Sequence, residues 1–123
     1  MASPVLFVSP HHEDASRLRQ MLSSVPLLLE HARDCEQARA KLGQRRYAVI
    51  VTEAALPDGS WLDVMTLAPG TEVIVTDRHA DARFWAEALN LGAYDLLAQP
   101  FYESEVRRIL SNACTRRVRV MAA

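Results

Sequence analysis

Polar and ionisable side chains stand directly after several apolar runs of this chain. Glu53 follows the run 49–52, and a Pro-Asp-Gly turn comes shortly after it. Ser9 stands after the first apolar run and Gln99 after the last. Carboxylate, hydroxyl and amide groups can serve in acid–base catalysis, metal binding or phosphoryl transfer once the fold brings them together. The carboxylate at the end of a buried strand is the strongest of these signals.

The elements that position these groups follow from two alternating apolar periods. The short continuous apolar run at 5–8 is typical of a strand covered on both faces, and further apolar-rich stretches predict strands at 27–32, 47–52, 72–76 and 94–98. Helical spacing predicts helices over 14–25, 35–42, 61–67, 81–92 and from 103 to about 117. Strands that alternate with helices predict an α/β fold with a parallel sheet and helices on both faces. Ligands of such sheets bind beyond the carboxyl ends of the strands, where the polar groups stand.

Length and composition set the remaining bounds. The 123 residues predict a single domain, 1–123, with a core of about 4–115 and a tail expected to be disordered. The net charge of −1 gives no bulk field that would attract nucleic acid or a membrane surface, so neither is expected as a partner. The apolar runs are too short to span a bilayer. Cys35 and Cys114 form no CxxC pair, which favours plain buried thiols and a cytoplasmic location.

Three stretches resemble the receiver domain of bacterial two-component response regulators. They are LPDG (56–59), LNLGAYDLL (89–97) and QPF (99–101), the last standing where the family usually has Lys-Pro-Phe. The likeness extends from about residue 5 to residue 113. It implies a flavodoxin-like (βα)5 fold, a doubly wound parallel five-stranded sheet with strand order 2-1-3-4-5.

The resemblance also assigns roles to the polar positions. A typical receiver holds Mg²⁺ with two acidic residues after the first strand and accepts a phosphoryl group on an Asp after the third. A hydroxyl and a Lys then bind the phosphoryl oxygens. In this chain the acidic pair falls on Ser9 and Pro10, the phosphoacceptor on Glu53 and the lysine on Gln99.

The other family positions are altered as well, with one exception. The hydroxyl position falls on Asp77 when counted back from Gly92, or on Thr76 if the following loop has gained a residue. The aromatic switch residue falls on Leu96, which prefers burial and cannot turn between solvent and core to report a state. Pro100 keeps the family's place, where the preceding peptide bond is typically cis.

These substitutions argue against phosphotransfer. Mg²⁺ requires hard anionic oxygens, whereas Ser9 offers a hydroxyl and Pro10 offers no side-chain ligand. Glu13 and Asp14 could swing back, but their place in the first turn favours a helix-charging role. Without the metal and a lysine, transfer to Glu53 loses most of its electrostatic stabilisation. We therefore expect no Mg²⁺ or other cofactor, no metal ligands and no catalytic residues.

Several residue roles remain open at this point. Glu53 either mimics part of the negative charge of a phosphoryl group or accepts hydrogen bonds from the following turn or from Thr76. Gln99 can hydrogen-bond to Glu53 without neutralising it. Arg78 either supplies the missing cation or is a solvent-exposed loop residue. The adjacent side chains at 11–12 are expected to diverge, which predicts solvated histidines and argues against a metal site.

The receiver surface most often used for pairing is formed by the fourth helix, the fifth strand and the fifth helix. Trp85 adjoins Phe84, so one ring is expected off the core axis and available as a binding hot spot, unless both rings pack under the sheet edge. Trp61 either covers the crevice or begins the short helix as a buried residue. The interface candidates on this surface are Arg83, Trp85, Asp95, Arg107 and Arg108.

We therefore expect a pseudo-receiver, a signalling module that contacts proteins, is independent of phosphorylation and is not an enzyme. Its partner would be a histidine kinase, an output protein or a second copy bound through the pairing surface. One alternative is a phosphotransfer-competent receiver that binds Mg²⁺ through Glu13, Asp14 and Glu53. Another is a small-ligand sensor that uses the crevice, although a G-x-G-x-x-G nucleotide loop is absent from the sequence.

Overall fold

Strands of the chain form one main sheet and one short hairpin. The computed structural model describes residues 2–79 and 81–122, with the side chains of the last helix described up to residue 115. Numbered along the chain, the described strands are β1 (Ser3–Val8), β2 (Leu27–Ala32), β3 (Val49–Glu53), β4 (Ala55–Leu56), β5 (Gly59–Ser60), β6 (Glu72–Asp77) and β7 (Asp95–Ala98). The main sheet is parallel, with the order β2-β1-β3-β6-β7, while β4 and β5 form an antiparallel pair. This is the predicted order of the five main strands.

Helices cover both faces of the main sheet. They are α1 (His12–Met21), α2 (Cys35–Gln44), α3 (Trp61–Leu67), α4 (Ala82–Asn90) and α5 (Glu103–Ala122). In the inner strand β1, Val5 and Phe7 pack in the core cluster that includes side chains of α1 and α5. Leu6 and Val8 pack in the opposite cluster, with side chains of α2 and α3. A strand buried on both faces needs apolar residues at every position, which explains the continuous run at 5–8.

The predicted boundaries differ from the structure mainly at the ends of α1 and α5. The chain after Met21 tightens into turns, in which Val25 N–H donates to the Leu22 carbonyl at 3.2 Å. Pro26 disfavours a helical conformation of the residue before it, so the helix cannot continue to 25. The last helix runs to Ala122, beyond the predicted end near 117; the side chains after residue 115, where a disordered tail was expected, lie outside the described part.

The LPDG stretch builds the β4–β5 hairpin and ties it to α2. The Asp58 carboxylate accepts hydrogen bonds from the backbone N–H of Cys35 at 2.8 Å and of Glu36 at 3.0 Å. These hydrogen bonds lower the pKa of Asp58, and the bond from Cys35 has the largest effect. A Cβ at Gly59 would lie 2.5 Å from the Asp63 carboxylate and 3.0 Å from the Cys35 Sγ, so a larger residue would displace the carboxylate that accepts from the backbone N–H of Ser60. One of the three stretches that carry the resemblance therefore has a structural role.

Candidate functional site

The carboxylate of Glu53 lies at the carboxyl edge of the sheet and is held by two neutral donors. The residue is only 7% exposed. Its Oε2 accepts a hydrogen bond from the Ser9 hydroxyl at 3.0 Å, and its Oε1 accepts one from the Gln99 amide at 3.2 Å. The register explains the first contact, because Val8 pairs with Thr52 and so places the next residue of each strand side by side.

This arrangement differs from the donors expected for a structural Glu53. Neither the turn after β3 nor Thr76 donates a hydrogen bond to the carboxylate in the described contacts; the donors are Ser9 and Gln99. Hydrogen bonds to a charged acceptor are stronger than neutral ones, so these two stabilise the buried charge without adding a cation. Ser9 was not predicted as a donor to Glu53, because the resemblance marked this position only as a lost metal ligand.

Of the two residues considered for the hydroxyl position, Thr76 contacts the site. It pairs in register with Glu53, donates its hydroxyl hydrogen to the Leu97 carbonyl at 2.7 Å and accepts from the Gln99 amide at 3.0 Å. The Asp77 carboxylate instead accepts from the backbone N–H of His79 at 2.7 Å, within the following loop. Gln99 therefore links two neighbouring strands through Glu53 and Thr76.

The positions of the family's acidic pair carry no carboxylate. Ser9 is fully buried, and its hydroxyl oxygen also accepts from the backbone N–H of His11 at 3.0 Å. Its carbonyl contacts the His31 Nε2 at 2.7 Å. Pro10 is exposed. The first loop of the crevice is thus organised by a hydroxyl and a carbonyl, which are weak ligands for a divalent cation beside a single carboxylate.

The adjacent histidines diverge, as expected. His11 is about half exposed, and its Nε2 lies 3.6 Å from the Glu53 Oε2. The ring of His12 instead lies 5.9 Å from the ring of His31, measured between centroids. Within the described residues, no cluster of three or more His, Cys, Asp or Glu side chains could hold a metal ion.

An ion pair that the sequence reasoning did not assign crosses the crevice. Asp14 lies in the first turn of α1 but is buried, and its Oδ2 accepts a hydrogen bond from the Arg78 guanidinium at 2.5 Å. Arg17 lies further away, with its Nη1 3.9 Å from the Asp14 Oδ1. The hydrogen bond and charge of Asp14 raise the pKa of Arg78. Arg78 is exposed, as expected for a solvent-exposed loop residue. It also lines the crevice and places a positive charge there.

A sequence signal for this pair was available. Asp14 lies four residues before the buried Leu18 and so shares its inward helix face. A carboxylate at an inward position needs a partner, and assigning Asp14 only to helix charging overlooked this requirement.

The side chains of the crevice do not provide the ligands that Mg²⁺ requires. Both oxygens of Glu53 accept hydrogen bonds, and the other buried carboxylate of the crevice, Asp14, is paired with Arg78. Ser9 directs its hydroxyl hydrogen at Glu53. A magnesium site built from one or two free carboxylates is therefore not formed by these side chains.

Leu96 of the last strand and Trp61 are buried in one apolar cluster. The Gln99–Pro100 peptide bond is cis. Leu96 is 9% exposed and packs in a cluster with Trp61, which is 5% exposed. Trp61 therefore begins α3 as a buried residue and does not cover the crevice.

Two of the interface candidates are engaged within the domain. Arg107 donates to the Met21 carbonyl at 2.9 Å and to the Glu103 carboxylate at 3.0 Å, which places it at the contact of α5 with α1. Its guanidinium is therefore engaged within the domain, and its part in the α4–β7–α5 surface stays a prediction. The Asp95 carboxylate accepts from the backbone N–H of Leu96 at 2.7 Å. Arg83 and Arg108 are exposed.

The two adjacent aromatic residues of α4 both pack on the domain. Trp85 and Phe84 are partly buried against the cluster around Ala88, in agreement with the alternative in which both rings pack under the sheet edge. Leu89 and Leu91, by contrast, are 47% and 48% exposed. The exposed apolar groups of this helix therefore lie at its C-terminal end.

Comparisons with known proteins agree with this architecture. PilR, a response regulator protein of Pseudomonas aeruginosa, is 27% identical over 112 residues, which are 88% of this chain and 25% of PilR. The chain thus spans about a quarter of that curated relative. The signal receiver domain of an HD domain-containing protein from Pseudomonas fluorescens Pf-5 is 26% identical, with a TM-score of 0.86 over 98% of this chain and 93% of that one. The fold is that of a response-regulator receiver domain.

A further receiver structure shows the same fold at lower identity. The beryllofluoride-activated NtrC4 receiver domain dimer is 24% identical, with a TM-score of 0.83 over 93% of this chain and 98% of that one. No family model matches the chain. In the described part of this receiver domain, none of the helices has the length and apolar character needed to cross a membrane.

Proposed function

We propose that this receiver domain is a signalling module that acts through protein contacts and whose state is not set by phosphotransfer. The observation that carries the proposal is the environment of Glu53, whose two oxygens are held by the neutral donors Ser9 and Gln99. A carboxylate that accepts a phosphoryl group must have its charge and that of the donor phosphate offset by cations. The ammonium position beside Glu53 carries an amide instead.

The nearby arginine does not replace that cation. Arg78 forms its 2.5 Å contact with Asp14, and that carboxylate is 4% exposed. Moving the guanidinium to Glu53 would leave Asp14 buried with only the longer contact to Arg17. Because an unpaired buried charge is strongly unfavourable, Arg78 is a poor donor for a transferring phosphoryl group. The domain is accordingly proposed not to be an enzyme and not to use Mg²⁺.

The test is incubation with acetyl phosphate, or with beryllofluoride, in the presence of Mg²⁺. Intact mass and amide NMR spectra should remain unchanged, because the crevice stabilises neither adduct. A stoichiometric adduct would overturn the proposal. The variant Glu53→Gln, which has no carboxylate at this position, then shows whether the adduct was on residue 53.

The proposed contact surface is the exposed part of α4, β7 and α5. Leu89 and Leu91 are about half exposed on α4 or just after it, and Tyr102 is 63% exposed before α5. The exposed cations Arg83 and Arg108 belong to the same elements. Exposed apolar and aromatic groups beside arginine are typical of binding surfaces. The partner proposed is a second copy, a histidine kinase or an output protein.

Self-association through this surface can be tested with a matched control. Leu89→Gln and Leu91→Gln should both weaken any dimer seen by sedimentation velocity, because each removes an exposed apolar side chain. Leu28 is 50% exposed on the edge strand β2, so Leu28→Gln makes the same chemical change elsewhere. Equal effects of all three variants would refute a specific α4 contact. A monomeric wild-type domain would leave the kinase or output protein as partner.

The proposed compartment is the cytoplasm. Both Cys35 and Cys114 are free, and Cys114 is buried. Such unpaired thiols fit a reducing compartment, in keeping with the likeness to response regulators.

A further inference from the structure

The Arg78–Asp14 pair joins two parts of the chain that are 64 residues apart. Arg78 follows β6 at the start of the loop to α4, and Asp14 lies in the first turn of α1. The side chain of Arg78 is 46% exposed, whereas that of Asp14 is 4% exposed. The Arg78 side chain therefore reaches from the end of β6 to a buried carboxylate on α1.

Arg78 lines three cavities of the crevice. It lines one cavity of about 290 Å³ with Gln99 and Phe101, and another of about 210 Å³ with Glu53 and Thr76. A third cavity, beside the exposed 10–13 segment, has Arg78 as a wall as well. The position of this one side chain therefore affects the shape of three cavities.

The charges explain why this side chain stays in place. A buried carboxylate is stable only when it is paired or hydrogen-bonded. Arg17 approaches Asp14 only to 3.9 Å and is 66% exposed, so Arg78 makes the closer contact. On the other side, Glu53 has hydrogen bonds from Ser9 and Gln99 and does not depend on a guanidinium.

We propose that Arg78 and Asp14 form an intramolecular latch that fixes the end of β6 to the first turn of α1 beside the crevice. The latch keeps the crevice in one conformation without a bound ligand. An anion that enters the crevice has to compete with Asp14 for Arg78. This inference concerns the conformation of the domain and holds whether or not the proposed protein contacts exist.

Native-state amide hydrogen exchange of the variant Arg78→Gln tests the latch. The reporters are the backbone N–H groups of His79 and Phe84, which donate to Asp77 and Asp81 around the loop. Loss of a charge-assisted hydrogen bond should accelerate their exchange by about tenfold relative to the amides of β1. Exchange at the β1 amides shows whether the variant is folded.

The control is Arg45→Gln. Arg45 makes a contact of the same length, 2.5 Å, with Glu30, and is 45% exposed. It lies after α2, away from the crevice. This variant should leave exchange at His79 and Phe84 unchanged. An equal acceleration in both variants, or none in Arg78→Gln, would overturn the latch.

A second variant removes the other half of the pair. Asp14→Asn keeps the size of the side chain and leaves no unpaired buried charge when Arg78 departs, so it covers the case in which Arg78→Gln fails to fold. It should accelerate the same amides, and the double variant Asp14→Asn/Arg78→Gln should add little to either single change. Additive effects of the two changes would show that the residues act separately and would refute the proposal.

Discussion

Replacing Ser9 by alanine should lower the free energy of unfolding by about 2 kcal/mol, because hydrogen bonds to charged groups contribute more than neutral ones. The Ser9 hydroxyl donates to the Glu53 Oε2 at 3.0 Å, and both residues are buried. The substitution leaves that oxygen with His11 at 3.6 Å as its nearest ionisable neighbour in the described contacts. It also removes the acceptor of the His11 N–H.

The loss should be visible in urea unfolding and in thermal unfolding. A loss of about 2 kcal/mol corresponds to a fall in Tm of about 6–10 °C for a domain of this length. The control is Ser16→Ala, a change to an exposed serine in the middle of α1. It should leave stability within about 0.5 kcal/mol of wild type. A similar small effect of Ser9→Ala would refute the view that its hydroxyl stabilises Glu53.

A double-mutant cycle separates the charge from the shape of Glu53. In Glu53→Gln, the amide oxygen can still accept from Gln99 and the amide nitrogen can donate to Ser9. Because the Ser9 contact is then neutral, Ser9→Ala should cost only about 1 kcal/mol in this background. Equal costs in the two backgrounds would show that the negative charge does not contribute to the contact.

Two further predictions concern groups outside the crevice. The Tyr47 hydroxyl donates to Glu30 at 2.6 Å, and Tyr47→Phe should cost about 1 kcal/mol in urea unfolding. Burial, followed by this hydrogen bond, raises the pKa of Tyr47 above its ordinary value of 10, so the unfolded chain loses the proton first and stability should fall above pH 10. The phenylalanine variant should show a shallower fall, and identical slopes would contradict the assignment. Burial also raises the pKa of Cys35 to about 11. Its alkylation by iodoacetamide at pH 9 should be roughly fiftyfold slower than that of the unfolded chain, because the thiolate reacts; equal rates in peptide mass spectra would refute this.

The sheet could be predicted from the sequence because inner strands such as β3 are buried on both faces. Continuous apolar runs such as 5–8 and 73–75 allow few other structures when they alternate with helical patterns. The order of the strands came from the resemblance, since periodicity alone does not order them. The end of α1 was less predictable: Val25 continues the helical spacing and still packs against the core, although it lies in a turn.

The location of the candidate site could be predicted from the sequence, but most of its side-chain contacts could not. The ends of the strands indicated that Glu53 and Gln99 would meet, and they do. The donor role of Ser9 and the pairing of Asp14 depend on side-chain directions that spacing leaves open. The exposure of Leu89 shows the same limit, because α4 covers the edge of the sheet and buries a narrower stripe than its apolar residues suggest.

The hairpin that carries LPDG has a wider consequence for how such domains are recognised. Asp58 accepts hydrogen bonds from the start of α2, and Gly59 leaves space for the Cys35 thiol. Both residues therefore have structural roles. Residues with such a structural role are needed for folding whether or not a receiver accepts a phosphoryl group. A search pattern built on this turn will therefore collect working and silent receivers alike, and only the residues around the crevice can sort them.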